Sequence, residues 1–343
     1  MMAYDRDYHN AINQAVSRIR STVPANLVDT FVHACGINRE DFHGCPPMES
    51  GEVCAIDGSN VILLSSGSMA LAAVRAAQTT FTDMKRTRRS ITPLKFALLG
   101  PEPESTDFLT HYFECFGEVP GKPLLTEDKE AASGIVRDTF EYWVTELMAK
   151  TLGPGSLLLR DGPLRVAHAS HDAVLERIEG ICQEKTICLA GISKATSATW
   201  GGGHPLLPSV HGLAKLYGVV PPWWIRIDSS ILDHAQSAQW QHGQMYVAGL
   251  HPHAMSPLKI DLLKNQPYDV VSATMCRLAG CSADGRIPGY PYPLFDAHRT
   301  VVLTEEVVEQ ILSDIMEGMA SSGIDRQTYD ILFGDYHDAF ARY

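Results

Sequence analysis

The sequence predicts an α/β fold: a mixed sheet flanked by helices, preceded by a helical N-terminal segment. Three observations lead there. Two apolar runs each end in Asp-Gly, at Val53-Cys54-Ala55-Ile56-Asp57-Gly58 and at Leu157-Leu158-Leu159-Arg160-Asp161-Gly162. Between residues 128 and 192 helical and strand patterns alternate, the signature of a partly parallel sheet. And 45% hydrophobic against 20% charged residues over 343 positions is enough apolar material for a real core.

In chain order, Ala11, Ile12, Ala15, Val16 and Ile19 recur at helical spacing over residues 8–20, and a second helical stretch runs through Asn26 to Val32. Gly44-Cys45-Pro46-Pro47 breaks the chain before the first strand. That strand delivers Asp57 at its end, where Gly58-Ser59-Asn60 has the chemistry of a turn. The apolar run Val61 to Ala77 reads as a long strand bent at Ser65-Ser66-Gly67-Ser68. Lys85-Arg86-Thr87-Arg88-Arg89, the one dense basic run, reads as a solvated loop or as a contact to phosphate groups. Lys95 to Leu99 is a strand closed by Gly100-Pro101.

The strongest helix covers residues 128–150, with Val136, Phe140, Trp143 and Leu147 on one face, and Gly153-Pro154-Gly155 stops it. The Asp161 strand follows, then a helix near 171–182 and a strand from Thr186 to Ile192 ending in Ser193-Lys194. Strands are predicted at Trp223 to Ile227, Met245 to Leu250 and Leu258 to Leu262. A Pro-rich loop from Asp284 then leads into a helix at His298-Arg299, and a last helix covers about 304–320.

Composition excludes several classes. Residues 1–20 are polar and helical in pattern, and no apolar run reaches spanning length, so the expectation is a cytoplasmic chain with no membrane segment. The eight cysteines form no Cys-x-x-Cys pair, and the four residues between Cys276 and Cys281 face no second pair, which argues against a disulfide or zinc framework. A net charge of −12 and a pI near 5.6 do not invite nucleic acid. A nucleic-acid substrate would have to meet a local patch, a bound metal or a delivering partner.

Asp57 and Asp161 on neighbouring strands would give one hard, oxygen-rich site for a divalent ion. A third carboxylate from the 128–150 helix would complete it, and Glu141 and Glu146 both border the apolar face. Lys194 can neutralise charge on a phosphate, and His298, behind its rigid lead-in, can act as acid, base or ligand. Tyr290, Tyr292, Trp223 or Trp224 could stack on an unpaired base.

The pieces Ala-Ile-Asp-Gly-Ser, a helical Glu, Leu-Leu-Leu-Arg-Asp-Gly-Pro-Leu, Gly-Ile-Ser-Lys and Gly-Tyr-Pro-Tyr-Pro-Leu-Phe-Asp-Ala-His-Arg resemble, in that order, the NurA nuclease family. The resemblance implies an RNase H-like core over residues 49–320, with a helical segment at 1–48 and a helical tail at 321–343. It implies a Mn²⁺-dependent 5′ to 3′ DNA exonuclease (Mg²⁺ possible), dimeric, working in DNA end processing with a HerA-type hexameric ATPase. It assigns Asp57, Glu141, Asp161 and His298 to metal binding, and Lys194 with Tyr290 or Tyr292 to catalysis. Lys85, Arg86, Arg88 and Arg89 are the candidate DNA contacts. Two other readings compete. An actin- or Hsp70-like ATPase would grip phosphate at an Asp-Gly turn, with Gly201-Gly202-Gly203 the only candidate second loop. A non-catalytic partner of a HerA-type ATPase would need none of the polar residues just named.

Overall fold

The structure is a computed structural model that describes residues 2–22, 27–100, 106–233 and 242–333. A ten-stranded mixed sheet organises it. Its strands are β1 (His43–Gly44), β2 (Glu52–Ser65), β3 (Ala70–Thr82), β4 (Lys85–Ile91), β5 (Lys95–Leu99), β6 (Leu157–Asp161) and β7 (Cys188–Ser193), then β10 (Trp223–Arg226), β11 (Gln244–Gly249) and β12 (Leu258–Leu262). A small separate hairpin pairs β8 (Thr199–Trp200) with β9 (His204–Pro205). The order across the large sheet is β1-β10-β11-β12-β7-β6-β2-β3-β4, and β5 also pairs with β3. Among the described residues, only β2-β6 and β6-β7 are parallel. β6 and β7 are joined through a helix, and the chain reaches β6 from the antiparallel β2–β5 strands through two helices, as parallel crossovers require.

Along β2 and β6 the side chains alternate between faces. Cys54, Ile56 and Leu158 enter a core with α3 (Thr106–Phe116), α4 (Lys129–Thr151) and α5 (Asp172–Glu184). Val53, Ala55, Leu157 and Leu159 enter the opposite core, with α7 (Tyr268–Cys281) and α8 (Tyr292–Val301). Leu157, Leu158 and Leu159 have no exposed surface, and each such burial stabilises the fold by about 2 kcal/mol. A strand buried on both sides reads as an unbroken apolar run, which is why this segment was legible. A third core packs α2 (Leu27–Cys35) against α6 (Leu206–Leu216). The far end of the β2-β3 hairpin is covered by α9 (Glu305–Ser321) and α10 (Arg326–Phe333).

Several expectations need correction. The chain does not turn at Gly58-Ser59-Asn60: β2 runs straight through, and the hairpin closes at Ser66, whose N–H donates to the Met69 carbonyl at 2.7 Å. The polar residues serve long-range bonds instead. Asn60 Nδ2 donates to Ser133 Oγ at 2.9 Å, and Ser59 Oγ accepts the Leu303 N–H at 3.3 Å. The basic run is a strand, not a loop; β4 is the last strand of the sheet and is exposed along its length. Trp223 and Trp224 are each 2% exposed in β10, so they are core and not a stacking platform for bases. The cysteines are all free thiols, and burial pushes Cys45, Cys54, Cys115 and Cys182 up to about 12.

At the N-terminus, α1 (Met2–Thr22) forms as its periodicity predicts, but Ala11, Ile12, Ala15 and Val16 are exposed. The side chain of Ile19, and Asn26 and Pro101 altogether, lie outside the described residues, as do 334–343 of the expected tail. Segment 1–48 is tied to the sheet where β1 pairs with β10. No helix among the described residues is long and apolar enough to cross a membrane.

One buried histidine makes the core acid-sensitive. His171 has no exposed surface, bonds Thr139 Oγ1 through Nε2 at 2.9 Å, and stacks on Tyr112. Burial pushes its pKa from 6.5 down to about 4. The folded protein therefore binds this proton less readily than the unfolded chain. The stabilisation is complete above 6.5 and is lost as pH falls toward about 4, by roughly 3 kcal/mol in all. Urea unfolding at pH 7.5 and 5 is expected to show a larger loss for the wild type than for His171→Phe. Equal losses in the two proteins would assign the acid sensitivity elsewhere.

Candidate active site

The site begins with strand register. β2 and β6 run parallel with Ile56 opposite Arg160, so the next residues, Asp57 and Asp161, sit side by side. Their parity puts both on the α8 face. His298, on α8, comes down onto Asp57: its Nδ1 lies 2.8 Å from Asp57 Oδ2, while Asp57 Oδ1 accepts the Gly58 N–H at 2.8 Å. One ligand atom each from Asp57, Asp161 and His298 lies within 4.8 Å of the others. No other group of His, Cys, Asp and Glu of this kind exists among the described residues.

Electrostatics at Asp161 show like charges held together. Burial, then the neighbouring Asp57, raise its pKa above the ordinary carboxylate value, opposed by Lys194 and Tyr290. Lys194 Nζ donates to Asp161 Oδ2 at 2.8 Å, and Tyr290 Oη donates to Oδ1 at 3.3 Å. Lys194 Nζ also lies 5.4 Å from the Tyr290 ring centre. Tyr290 is pushed far up by burial and the two aspartates, which keeps its hydroxyl a proton donor. The bond to Asp57 raises His298 above its usual value against an opposing effect of burial.

The tyrosines thus separate. Tyr290 is 7% exposed and belongs to the site, whereas Tyr292 packs edge-on against Phe81 with Arg286 over its ring at 4.1 Å.

Helix α8 is fixed from several sides. Arg75 donates from Nε and Nη2 to the Val301 and Val302 carbonyls, each at 2.8 Å, meeting the negative end of the helix. Thr79 Oγ1 donates to the Pro293 carbonyl at 3.0 Å. Arg86 donates to both oxygens of Asp296, at 2.9 and 3.0 Å. Among the four basic candidates for DNA contact, Arg86 therefore holds α8, while Lys85, Arg88 and Arg89 are exposed on β4.

Glu141 approaches from the other face of the sheet. Gly58 makes this possible, since a Cβ there would stand 2.4 Å from Glu141 Oε1. The carboxylate is 3% exposed and is engaged by Arg160 Nη2 at 2.9 Å and Arg137 Nε at 3.2 Å. It lies outside the Asp57–Asp161–His298 group. Burial raises its pKa while the two arginines oppose the rise. Glu146 points away, to Lys150 at 2.7 Å and Arg177 at 3.5 Å.

Arg160 itself escaped the sequence reading. It is 4% exposed, donates to the Pro163 carbonyl at 2.9 Å and lies 4.4 Å from the Tyr142 ring centre. Its signal was parity: Arg160 shares a strand face with the buried Leu158, and a charge there demands a carboxylate. Gly191 completes the support, because a Cβ on it would meet the Gly162 carbonyl at 2.7 Å, just beyond Asp161.

Two carboxylates and an imidazole are a donor set suited to Mn²⁺ or Mg²⁺, and the raised Asp161 marks the repulsion that a cation relieves. The glycine run offers no comparable phosphate cradle. The Gly202 and Gly203 N–H groups donate to the Asp233 carboxylate at 2.9 and 3.0 Å.

The sequence matches no protein-family model and no curated protein. Similarity appears in three dimensions. The NurA nuclease from Sulfolobus solfataricus superposes with a TM-score of 0.58 at 13% identity, covering 92% of this chain and 98% of that one. A second NurA structure gives 0.55 at 10% identity, over 88% and 97% of the two chains. Over nearly its whole length, the chain therefore has the fold of the NurA nucleases.

Proposed function

We propose that this protein is a divalent-metal-dependent deoxyribonuclease that hydrolyses phosphodiester bonds at Asp57, Asp161 and His298. The observation that carries the reading is the convergence of three ligand atoms from β2, β6 and α8 within 4.8 Å. The shared fold supports it. Asp57, Asp161 and His298 would hold Mn²⁺ or Mg²⁺, which when bound supplies an activated water and a Lewis acid for the phosphate. Lys194, exposed beside Asp161, supplies positive charge to a phosphate oxygen as the transition state forms. Tyr290 holds Asp161 by its hydroxyl, and Asp57 holds the His298 ring through Nδ1, fixing the imidazole for ligand binding or proton transfer.

The finer reading is 5′ to 3′ exonuclease action during DNA end processing, by a homodimer served by a HerA-type hexameric ATPase. A chain at −12 with Arg86 engaged by Asp296 has few cations for the DNA backbone, so delivery by a partner supports activity at physiological salt. Purified protein incubated with 5′- and 3′-end-labelled DNA, with and without Mn²⁺, tests the reaction and its polarity. Light scattering and addition of the ATPase with ATP test the assembly. No cleavage under any divalent metal, with or without the ATPase, sinks the nuclease reading.

A further inference from the structure

The large sheet is closed along one part of its edge and open along the next. β4 and β5 lie end to end along β3, each paired to it by one edge. The outer edge of β5 is capped by α3: Asp107 Oδ2 accepts the Leu98 N–H at 2.7 Å, and His111 Nε2 lies 2.8 Å from the Phe96 carbonyl oxygen. Among the described residues no strand pairs with the outer edge of β4, and all seven of its residues are exposed. The Thr92 N–H donates inward to the Ala76 carbonyl at 2.8 Å. By the alternation of an antiparallel ladder, Ser90 and Arg88 also bond inward, and Arg89 and Ile91 turn their N–H and C=O groups outward. Beside this edge, between β4 and α4, runs a groove of about 410 Å³. Trp143, Leu147 and Met148 form its apolar wall, and Leu147 is 43% exposed. Arg88 and Ser90 line the β4 side. Lys85, Arg88 and Arg89 form no ion pair among the described residues, whereas Arg86 is held by Asp296.

These features together select an occupant. A row of alternating backbone donors and acceptors is matched along its length by another extended polypeptide, whereas a phosphate backbone accepts and does not donate. A second copy of β4 is excluded by charge, since pairing the two edges would set Lys85, Arg88 and Arg89 against their own kind. Three cations without an anionic partner are complemented by carboxylates, and the α4 wall by apolar side chains. One added strand supplies both, because its successive side chains point to opposite faces of the sheet. Arg89 pairs with Thr79, which bonds the Pro293 carbonyl, so Arg89 lies on the α8 face and the groove on the other.

We propose that the β4–α4 groove docks an extended segment of a partner protein in which acidic and apolar residues alternate, added to the sheet beside β4. Its carboxylates meet the β4 cations and its apolar side chains cover Trp143 and Leu147. This docking is independent of the nuclease reading. The probe is a fluorescein-labelled peptide of seven residues, the length of β4, alternating glutamate and valine, with fluorescence anisotropy of the full chain at low salt as the readout. It is expected to bind at least ten-fold tighter than the corresponding lysine–valine peptide and than its own N-methylated form, which cannot donate to an edge. Leu147→Glu, on the groove wall, should weaken binding at least ten-fold, and so should Arg89→Pro, which removes an outward N–H and leaves the ladder to β3 intact. If Arg89→Pro does not fold, the N-methylated peptide and Leu147→Glu decide. Equal binding of the methylated peptide, no peptide binding at all, or indifference to Leu147→Glu would overturn the proposal. Oligo-dT binding lost in Leu147→Glu, with the acidic peptide not bound, would give the groove to nucleic acid instead. Self-association abolished by Leu147→Glu, again with no peptide bound, would give it to a second copy.

Discussion

Asp57→Ala and Asp161→Ala are expected to abolish metal-dependent DNA cleavage without weakening the fold. The two carboxylates are adjacent and mutually repulsive, Asp57 buried and Asp161 half-buried, and Asp57 is, after burial, the main reason that Asp161 is raised. Deleting either relieves that repulsion, so urea midpoints should stay level or rise while activity falls to background. A residue that opposes stability and is needed for chemistry is behaving as part of a site. His298→Ala should lower the rate about 100-fold with little change in DNA binding, the size of effect expected for a group that positions or moves a proton. Isothermal titration with Mn²⁺ provides a readout besides turnover: each of the three substitutions should weaken metal binding. An Asp57→Ala protein that still binds Mn²⁺ and cuts DNA like the wild type would move the site elsewhere.

The second large effect is on stability. Glu141→Ala leaves the buried Arg160 guanidinium with the more distant Asp138, at 3.7 Å, as its remaining ion-pair partner, and should cost about 3 kcal/mol. Glu146→Ala removes contacts to the partly exposed Lys150 and Arg177 and should cost about 1 kcal/mol or less. Gly58→Ala forces its methyl against Glu141 and Arg137 and should cost about 2 kcal/mol by overpacking. Glu141→Gln separates structure from chemistry, since an amide oxygen still accepts from Arg160. Retained activity in that variant assigns Glu141 to the arginine network. Loss to the level of Asp57→Ala, with stability kept, makes it a metal ligand in the loaded enzyme as the family resemblance implied.

The legible part of this molecule was what local pattern controls. Buried strands announce themselves as apolar runs, and the strand ending at Asp161-Gly162 and the His298 helix followed from such runs and from proline. What was not legible depended on partners distant in sequence. Gly58-Ser59-Asn60 has the composition of a turn, yet Gly58 is small because Glu141 passes over it, and Asn60 bonds Ser133. Tyr290 and Tyr292 are equivalent in the motif, and only the seating of α8 on the sheet decides which meets Asp161. Four cations in five residues looked like a loop because solvated edge strands share loop composition.

That edge has a consequence for solubility. A terminal strand presents unpaired backbone donors and acceptors that invite a second sheet to add on, and charge, lysine and arginine above all, is the usual deterrent. β4 carries Lys85, Arg88 and Arg89 on its exposed length, so these cations guard the sheet against self-association whatever else they touch. Neutralising them together should release two behaviours at once: weaker attraction to polyanions, and edge-to-edge aggregation that grows with protein concentration and with screening salt. Reversing one charge at a time, and returning a proline at a position facing solvent, would keep the edge closed while the surface potential changes.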